Sequence, residues 1–490
     1  MDETINERFL QFVNVVECDA RSLCSAIVNC LGNRGLDLKK CVAQCYDGAS
    51  VMSGKNAGVQ ALFRKECESP CIYVHCHAHR LNLVLVDCCK DISAVANIIG
   101  LMEAVYCFLT ASVQRHAAFI KTQTDVGLTE LELPMQSDTR WVCKHRAVKV
   151  FVSRFSCILK TLQEFSTNGH PKERAEAKGL LLQLSSFETL LVLQLLDSIL
   201  PLINSLSEFL QNKSGDSTRV CSLVGATKQT LTRMRCDTAY RDIYDKAVIL
   251  ANANNILVPL SVSGADSESS KTLPDQRPRC LPQRLNCSIV TTSVGHREPR
   301  NSHKWKVVMF ELIDKINGEL DRRFSVNESL LAACCTVDPS SVSFLNFNRM
   351  LPIAEMFAYL GLDAHRLRAQ ASVAWNMFRT TTGSANCASN VSSAHDVLVE
   401  LVKMATAFPD LLLFTRIVLT IPIASASAER SFSTMKRVKT YLRSTMTDGR
   451  LNDLCMLAIE RELSHELLID PTAVLDKFAK LAERRVRLLK

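Results

Sequence analysis

Only 17 glycines and 14 prolines interrupt this chain of 490 residues. That is roughly half the usual share of the two residue types. So few breakers favour long helices over a turn-rich β architecture. Apolar residues supply 47% of the chain and charged residues 22%, so it can bury a core and is not a disordered polyampholyte. The longest apolar stretches, such as TLLVLQLL at 189–196, stop short of the roughly 18 residues that a membrane span needs. At roughly 150 residues per unit, the length predicts about three structural units.

The 21 cysteines argue against a secreted disulfide framework. Their number is odd, the chain is long, and the first ten residues, MDETINERFL, are acidic with no apolar leader. The expectation is a reduced nuclear or cytosolic protein, not secreted, with mostly buried thiols. Net charge is +8 and unevenly spread: residues 430–490 hold 13 Lys/Arg against 8 Asp/Glu. A basic helix there can face nucleic-acid phosphates or simply be a solvated surface.

Along the chain, Asp19 opens a helical pattern that Gly32 and Gly35 stop. Cys41–Tyr46 predicts a short buried strand ending at Asp47-Gly48-Ala49, with a helix from about Gly58. Ile72–Cys76 predicts a second strand, feeding a helix near His79. This alternation predicts an α/β layer with polar residues at the carboxyl ends of its strands, where ligands commonly sit. Residues 144–255 are almost wholly helical in pattern, with a break or kink at Pro201. Residues 261–303 are rich in Ser, Pro, Arg and Thr and predict a disordered linker. Helical character returns at 304–324, 352–362, from Ala428 and from Leu451, with a basic amphipathic tail from Val474.

Four places can carry chemistry. Asp47 can ligate a metal because Gly48 and Ala49 leave room beside it, although a turn or N-cap aspartate fits the local spacing better. His75-Cys76-His77-Ala78-His79, with Cys67 and Cys71 upstream, invites a zinc reading, but the spacing is poor and paired CxxC knuckles are missing. Arg140-Trp141 can clamp a phosphate and stack on a base, or Trp141 can plug a core. The run from Ser425 opens a helix with Glu429 in its first turn. Phe432, Met435 and Leu442 form a loose apolar stripe, with Lys436 and Arg437 elsewhere around it.

Taken in order, CYDGASVMSGKNAGVQA, YVHCHAHRLNLVLVD, SDTRW and IPIASASAERSFSTMKRVKTYLRSTM resemble the core of a hAT-superfamily DNA transposase. The likeness spans essentially the whole chain, ELDRRFS at 319–325 included, and is strongest to the transposon-derived branch containing zinc-finger MYM-type proteins. It implies an RNase H-like α/β core (1–143), a large all-α insertion domain (144–407, with the linker at 261–303) and a helical C-terminal dimerisation region (408–490) that returns Glu429 to the core. The family's Asp-Asp-Glu set binds Mg²⁺ or Mn²⁺ through hard oxygen ligands for DNA cleavage and strand transfer. By the match, Asp47 and Glu429 are two of those three acids and metal ligands. Cys76 and His79 are the CxxH pair beside the active site, and no structural zinc is expected. Arg140 and Trp141 would meet DNA together with Lys436 and Arg437, and Phe432, Met435 and Leu442 belong to the dimerisation region.

The start departs from the pattern. Asp2 is a possible remnant of the first acid, but the strand and hairpin that should surround it are absent, as is a zinc finger before the core. The expectation is a transposon-derived protein, catalytically incomplete, that forms a homodimer or pairs with related hAT chains and binds nucleic acid non-specifically. No membrane or small-molecule partner is expected. The alternatives are an active metal-dependent DNA transposase, completed by Asp2, and a pure protein-interaction scaffold.

Overall fold

In the computed structural model the described residues are 5–135, 141–212, 217–259, 302–325, 328–382, 391–440 and 445–480. Most of the predicted linker lies outside them; its last two residues open a helix instead.

Asp19 caps α1 (Ala20–Gly32), accepting the N–H groups of Arg21 and Ser22 at 2.8 and 3.1 Å. A 3₁₀ turn (Leu38–Lys40) leads into β1 (Ala43–Tyr46). Two helices, α2 (Ser50–Ser53) and α3 (Val59–Cys67), bring the chain back to β2 (Ile72–His75). The strands pair in parallel, from Ala43 opposite Ile72 to Tyr46 opposite His75, and are the only two among the described residues. A parallel pair needs such a crossover. The next helix, α4 (His77–Asp91), starts directly off β2, two residues earlier than expected. The reason is its cap: the Cys76 thiol, rather than an oxygen side chain, accepts the His79 N–H at 3.4 Å.

The main core is built from α4, α5 (Ser93–Thr110), α6 (Val113–Asp125), α7 (Trp141–Ser153), α8 (Phe155–Asn168), α9 (Pro171–Leu184), α10 (Phe187–Gln211), α11 (Val220–Met234), α12 (Asp237–Ala253) and α13 (Ser302–Phe324). At its centre α10 is apolar around most of its circumference and touches α4, α5, α7, α11 and α12. It runs on through Pro201, so of the predicted break or kink the break does not form. Pro201 forfeits one backbone hydrogen bond, but Ile199, Leu200 and Ile203 are buried around it, and this packing outweighs the local preference. By length and composition α5 and α10 could each cross a membrane; their apolar residues are the interior of this core.

A second apolar cluster joins α14 (Glu328–Cys334), α15 (Phe347–Met356), α16 (Ala364–Thr382), α17 (Ala394–Lys403) and α18 (Pro409–Thr420). Val74 of β2 is buried in it, and Ala43 and Cys45 of β1 lean on it, so the ribbon seats on these helices. The chain closes with α19 (Ala426–Val438), α20 (Asp448–Ile459), α21 (Arg461–Ile469) and α22 (Thr472–Lys480).

Candidate functional site

The carboxyl ends of both strands and the start of α19 meet at one sulfur. Cys76 is fully buried just past β2, and its backbone N–H donates to the Tyr46 carbonyl at 2.9 Å. Its Sγ accepts the N–H of Ser425 at 3.3 Å as well as that of His79. The adjacent His77 N–H donates to the Ile423 carbonyl at 2.9 Å. Asp47 follows Tyr46 directly, and Glu429 lies one helical turn beyond Ser425, its N–H on the Ser425 carbonyl at 3.3 Å. Cys76 thus binds together the elements that carry Asp47 and Glu429. The Cys45 thiol donates to Cys76 first of all, and with the Ser425 and His79 donors this holds the Cys76 thiol down to about 5 despite burial. Cys45, holding the proton, is pushed up in turn.

Asp47 is exposed, and its Oδ1 accepts the Ala49 N–H at 3.3 Å, as a turn aspartate does. Glu429 is also exposed. The space beside Gly48, expected to serve a metal, is taken by His75. A Cβ on Gly48 would lie 2.5 Å from the imidazole Cε1. The His75 Nε2 is buried without a hydrogen-bond partner, and burial, then the Arg80 cation, pushes this imidazole down to about 4. His75 stacks on His79 at 5.6 Å, and the more deeply buried His77 stacks on Phe324 at 5.4 Å. These histidines therefore pack against rings.

Exposed carboxylates have the right oxygen chemistry for Mg²⁺ or Mn²⁺. Convergence is another matter. Among the described residues, the group of three or more ligand-type side chains whose ligand atoms lie within 4.8 Å of one another is Cys41, Cys67 and Cys71. Asp47 and Glu429 belong to no such group of three, and Asp2 lies outside the described residues.

Of the other predicted positions, Lys436 and Arg437 are exposed in the last turn of α19. Phe432 meets the Phe12 ring at 5.2 Å, Met435 is half-buried, and Leu442 and Arg140 lie outside the described residues. Trp141 begins α7. The ELDRRFS segment ends α13: Glu319 holds Arg322 and Arg323, Arg323 pairs with Asp87 of α4, and its carbonyl accepts from Arg80 at 2.9 Å. Sequence reasoning missed Cys45, Arg80 and Arg430. Arg430 donates to the last carbonyl of α10 and to Ser427, anchoring α19 to the main core. All three lie inside the quoted motifs, but nothing local singles them out, because each acts across a long-range contact.

A family model described as the hAT family C-terminal dimerisation region matches residues 384–463. A second, described as the ZMYM1/FAM200, RNase-like domain, matches residues 1–58. Together these matches support a hAT-derived, transposase-like chain. The 52 kDa repressor of the inhibitor of the protein kinase from Homo sapiens is similar to it, 21% identical over 485 residues. The alignment covers 95% of this chain and 59% of that protein, so the chain spans about three-fifths of its relative's length.

Proposed function

We propose that the chain acts by association: its C-terminal helices pair with a second copy or with a related hAT-type chain, and phosphodiester chemistry is incomplete. The observation that carries this reading is an unburied apolar run at the end of the described chain. Leu467, Leu468 and Ile469 of α21 and Val474, Leu475 and Phe478 of α22 are all exposed, directly after the matched dimerisation region. Apolar side chains massed in this way mark a protein-contact surface. In this reading the strands and their flanking helices are part of an RNase H-like core, 144–407 is its helical insertion, and the protein works in the nucleus. Lys436 and Arg437, with Arg140 and Trp141, supply non-specific contacts to nucleic acid.

Light scattering on the full chain tests the association. A dimer that Leu468→Asp/Ile469→Asp dissociates supports the reading; a chain that stays monomeric at every concentration overturns pairing with a second copy. Retention on non-specific DNA that weakens with salt, and weakens further in Lys436→Ala/Arg437→Ala, supports the nucleic-acid component. Its absence leaves a pure protein-interaction scaffold.

The Cys76 junction favours a second reading, metal-dependent DNA cleavage and strand transfer, because it keeps the elements bearing Asp47 and Glu429 in register. That reading requires Mn²⁺- or Mg²⁺-dependent nicking of DNA that both Asp47→Asn and Glu429→Gln abolish. Nicking that survives both substitutions belongs to a contaminant.

A further inference from the structure

The three converging thiols lie at the opposite ends of the strands from Asp47. Cys41 follows the 3₁₀ turn before β1, Cys67 ends α3, and Cys71 precedes β2. We propose that they form a structural site for a thiophilic d¹⁰ cation of the zinc class, with Cys24 of α1 as fourth ligand.

Geometry is the first argument. A tetrahedral zinc with bonds of about 2.3 Å holds its sulfurs about 3.8 Å apart. Here the Cys41 and Cys71 Sγ atoms are 3.5 Å apart and no pair of the three exceeds 4.8 Å, so capture needs a contraction of about 1 Å at most. Cys24 is buried in the same small cluster as Cys67 and Cys71, which makes it the nearest candidate for the fourth ligand.

The backbone is the second. Cys67 and Cys71 are separated by three residues, within the spacing of a zinc knuckle. The turn between them holds two non-glycine residues at positive φ, Glu68 at 49° and Cys71 at 30°. Such conformations persist only where the surroundings enforce them. The Ser69 hydroxyl donates to the Cys41 carbonyl at 3.3 Å, and the Gln44 amide to the Cys71 carbonyl at 3.2 Å, which fixes both flanks of the turn. A metal bonded to both ends of the turn offsets its strain.

Composition is the third. The cluster is separate from the two larger cores, and its buried members are only Cys24, Phe63, Cys67 and Cys71. So little apolar surface is a weak tie between α1 and α3, and small cores of this kind are commonly stapled by metal. Ile27, Leu31, Leu38 and Leu62 close over the thiols, and sulfur donors select Zn²⁺ or Cu⁺ over Mg²⁺. Each ligating thiol gives its proton to solvent as the metal binds. This set differs from the His75–His79 cluster suggested by the sequence, because Cys41 reaches Cys71 only through strand pairing.

Cobalt titration of the full chain under reducing conditions tests the site. The expected result is about one Co²⁺ per chain, with sulfur-to-cobalt charge-transfer absorption and intense visible bands of tetrahedral thiolate, displaced by Zn²⁺. Cys41→Ser, Cys67→Ser and Cys71→Ser should each remove the absorption, Cys24→Ser should weaken it, and Cys107→Ser should leave it intact. Because a variant can fail to fold, alkylation of the wild-type chain followed by peptide mass analysis provides a second readout. Zn²⁺ should shield Cys41, Cys67 and Cys71 from iodoacetamide. Absence of that shielding, cobalt absorption that survives all three substitutions, or a Cys41–Cys71 disulfide without metal uptake overturns the proposal.

Discussion

Asn452 of α20 grips the backbone of Phe12 from both sides: its Oδ1 accepts the Phe12 N–H at 2.6 Å, and its Nδ2 donates to the Phe12 carbonyl at 3.0 Å. About two turns on, at the end of α20, Glu460 accepts the Phe9 N–H at 2.6 Å and pairs with Arg8 at 3.2 Å. Glu7 accepts from Ser427, and the Phe9, Phe12 and Phe432 rings stand in a row at 4.8 and 5.2 Å. The two segments matched by family models, at opposite ends of the sequence, are therefore one physical unit around a cleft of about 800 Å³. The N-terminal segment is thereby fastened to α19 and α20, inside the segment that carries the dimerisation match.

Removing that grip should release the N-terminal segment. Asn452→Ala leaves the partly buried Phe12 N–H and carbonyl without their protein partners, which typically costs about 1–3 kcal/mol. The expected outcome is a lower melting temperature and faster proteolysis within residues 5–17, with little change in helix content. Equal proteolysis of both proteins would show that other contacts hold the segment.

Gly48→Ala places a methyl group into the His75 ring, so one of them must move. The cost of such overpacking is about 1–3 kcal/mol. Denaturant melts of Gly48→Ala, His75→Ala and the double variant form a test cycle. The double variant should recover much of the stability lost to Gly48→Ala; strict additivity would mean that the contact is not responsible.

How far the sequence foretold this arrangement depends on the range of each interaction. The strands were legible at Ala43–Tyr46 and Ile72–His75 because short apolar runs end there in turn residues, and α3 began beside Gly58 as expected. Asp47 and Cys76 were legible as strand-end residues for the same reason. The early start of α4 was not, since a thiol cap lies outside the usual capping vocabulary. Pro201 misled because its penalty is local while the burial around it is tertiary. His75 over Gly48 follows from the register of Tyr46 with His75, and the thiol cluster from the same pairing. Residues 5–17 show no periodicity at all, because side chains about 440 positions away satisfy their backbone groups.

His77 makes stability depend on pH. Only 1% of it is exposed, and burial first, then the Arg80 cation, pushes its pKa down to about 3 from an ordinary 6.5. Between those values the unfolded chain binds a proton that the folded chain refuses. The contribution is therefore complete above pH 6.5 and declines as pH falls, by up to about 1.4 kcal/mol per unit, until about pH 3. Urea melts of wild type and His77→Leu between pH 7.5 and pH 4.5 isolate this group from the carboxylates. The gap between the two should narrow on acidification; a constant gap would remove His77 as the cause.

Asp410 gives the strongest single-site prediction for the region that carries the dimerisation match. It is 2% exposed in the first turn of α18, and its carboxylate accepts the Asp363 N–H at 2.9 Å, the Gln370 amide at 2.9 Å and the Arg366 guanidinium at 3.1 Å. Gln370 returns the contact, its Oε1 accepting the N–H groups of Asp410 and Leu411 at 3.0 and 2.9 Å. The pair thereby caps α18 while fastening it to α16. Asp410→Ala removes the acceptor shared by the Asp363 N–H, the half-buried Gln370 amide and the exposed Arg366 guanidinium, and should cost about 1–3 kcal/mol. Asp410→Asn keeps one acceptor but turns an amide donor toward other donors, so a loss of about 1–2 kcal/mol is expected. If the surface on α21 and α22 is independent of this junction, a folded Asp410→Asn chain should associate as wild type does. Parallel measurement of stability and mass would then separate a failure of the scaffold from a failure of the contact surface.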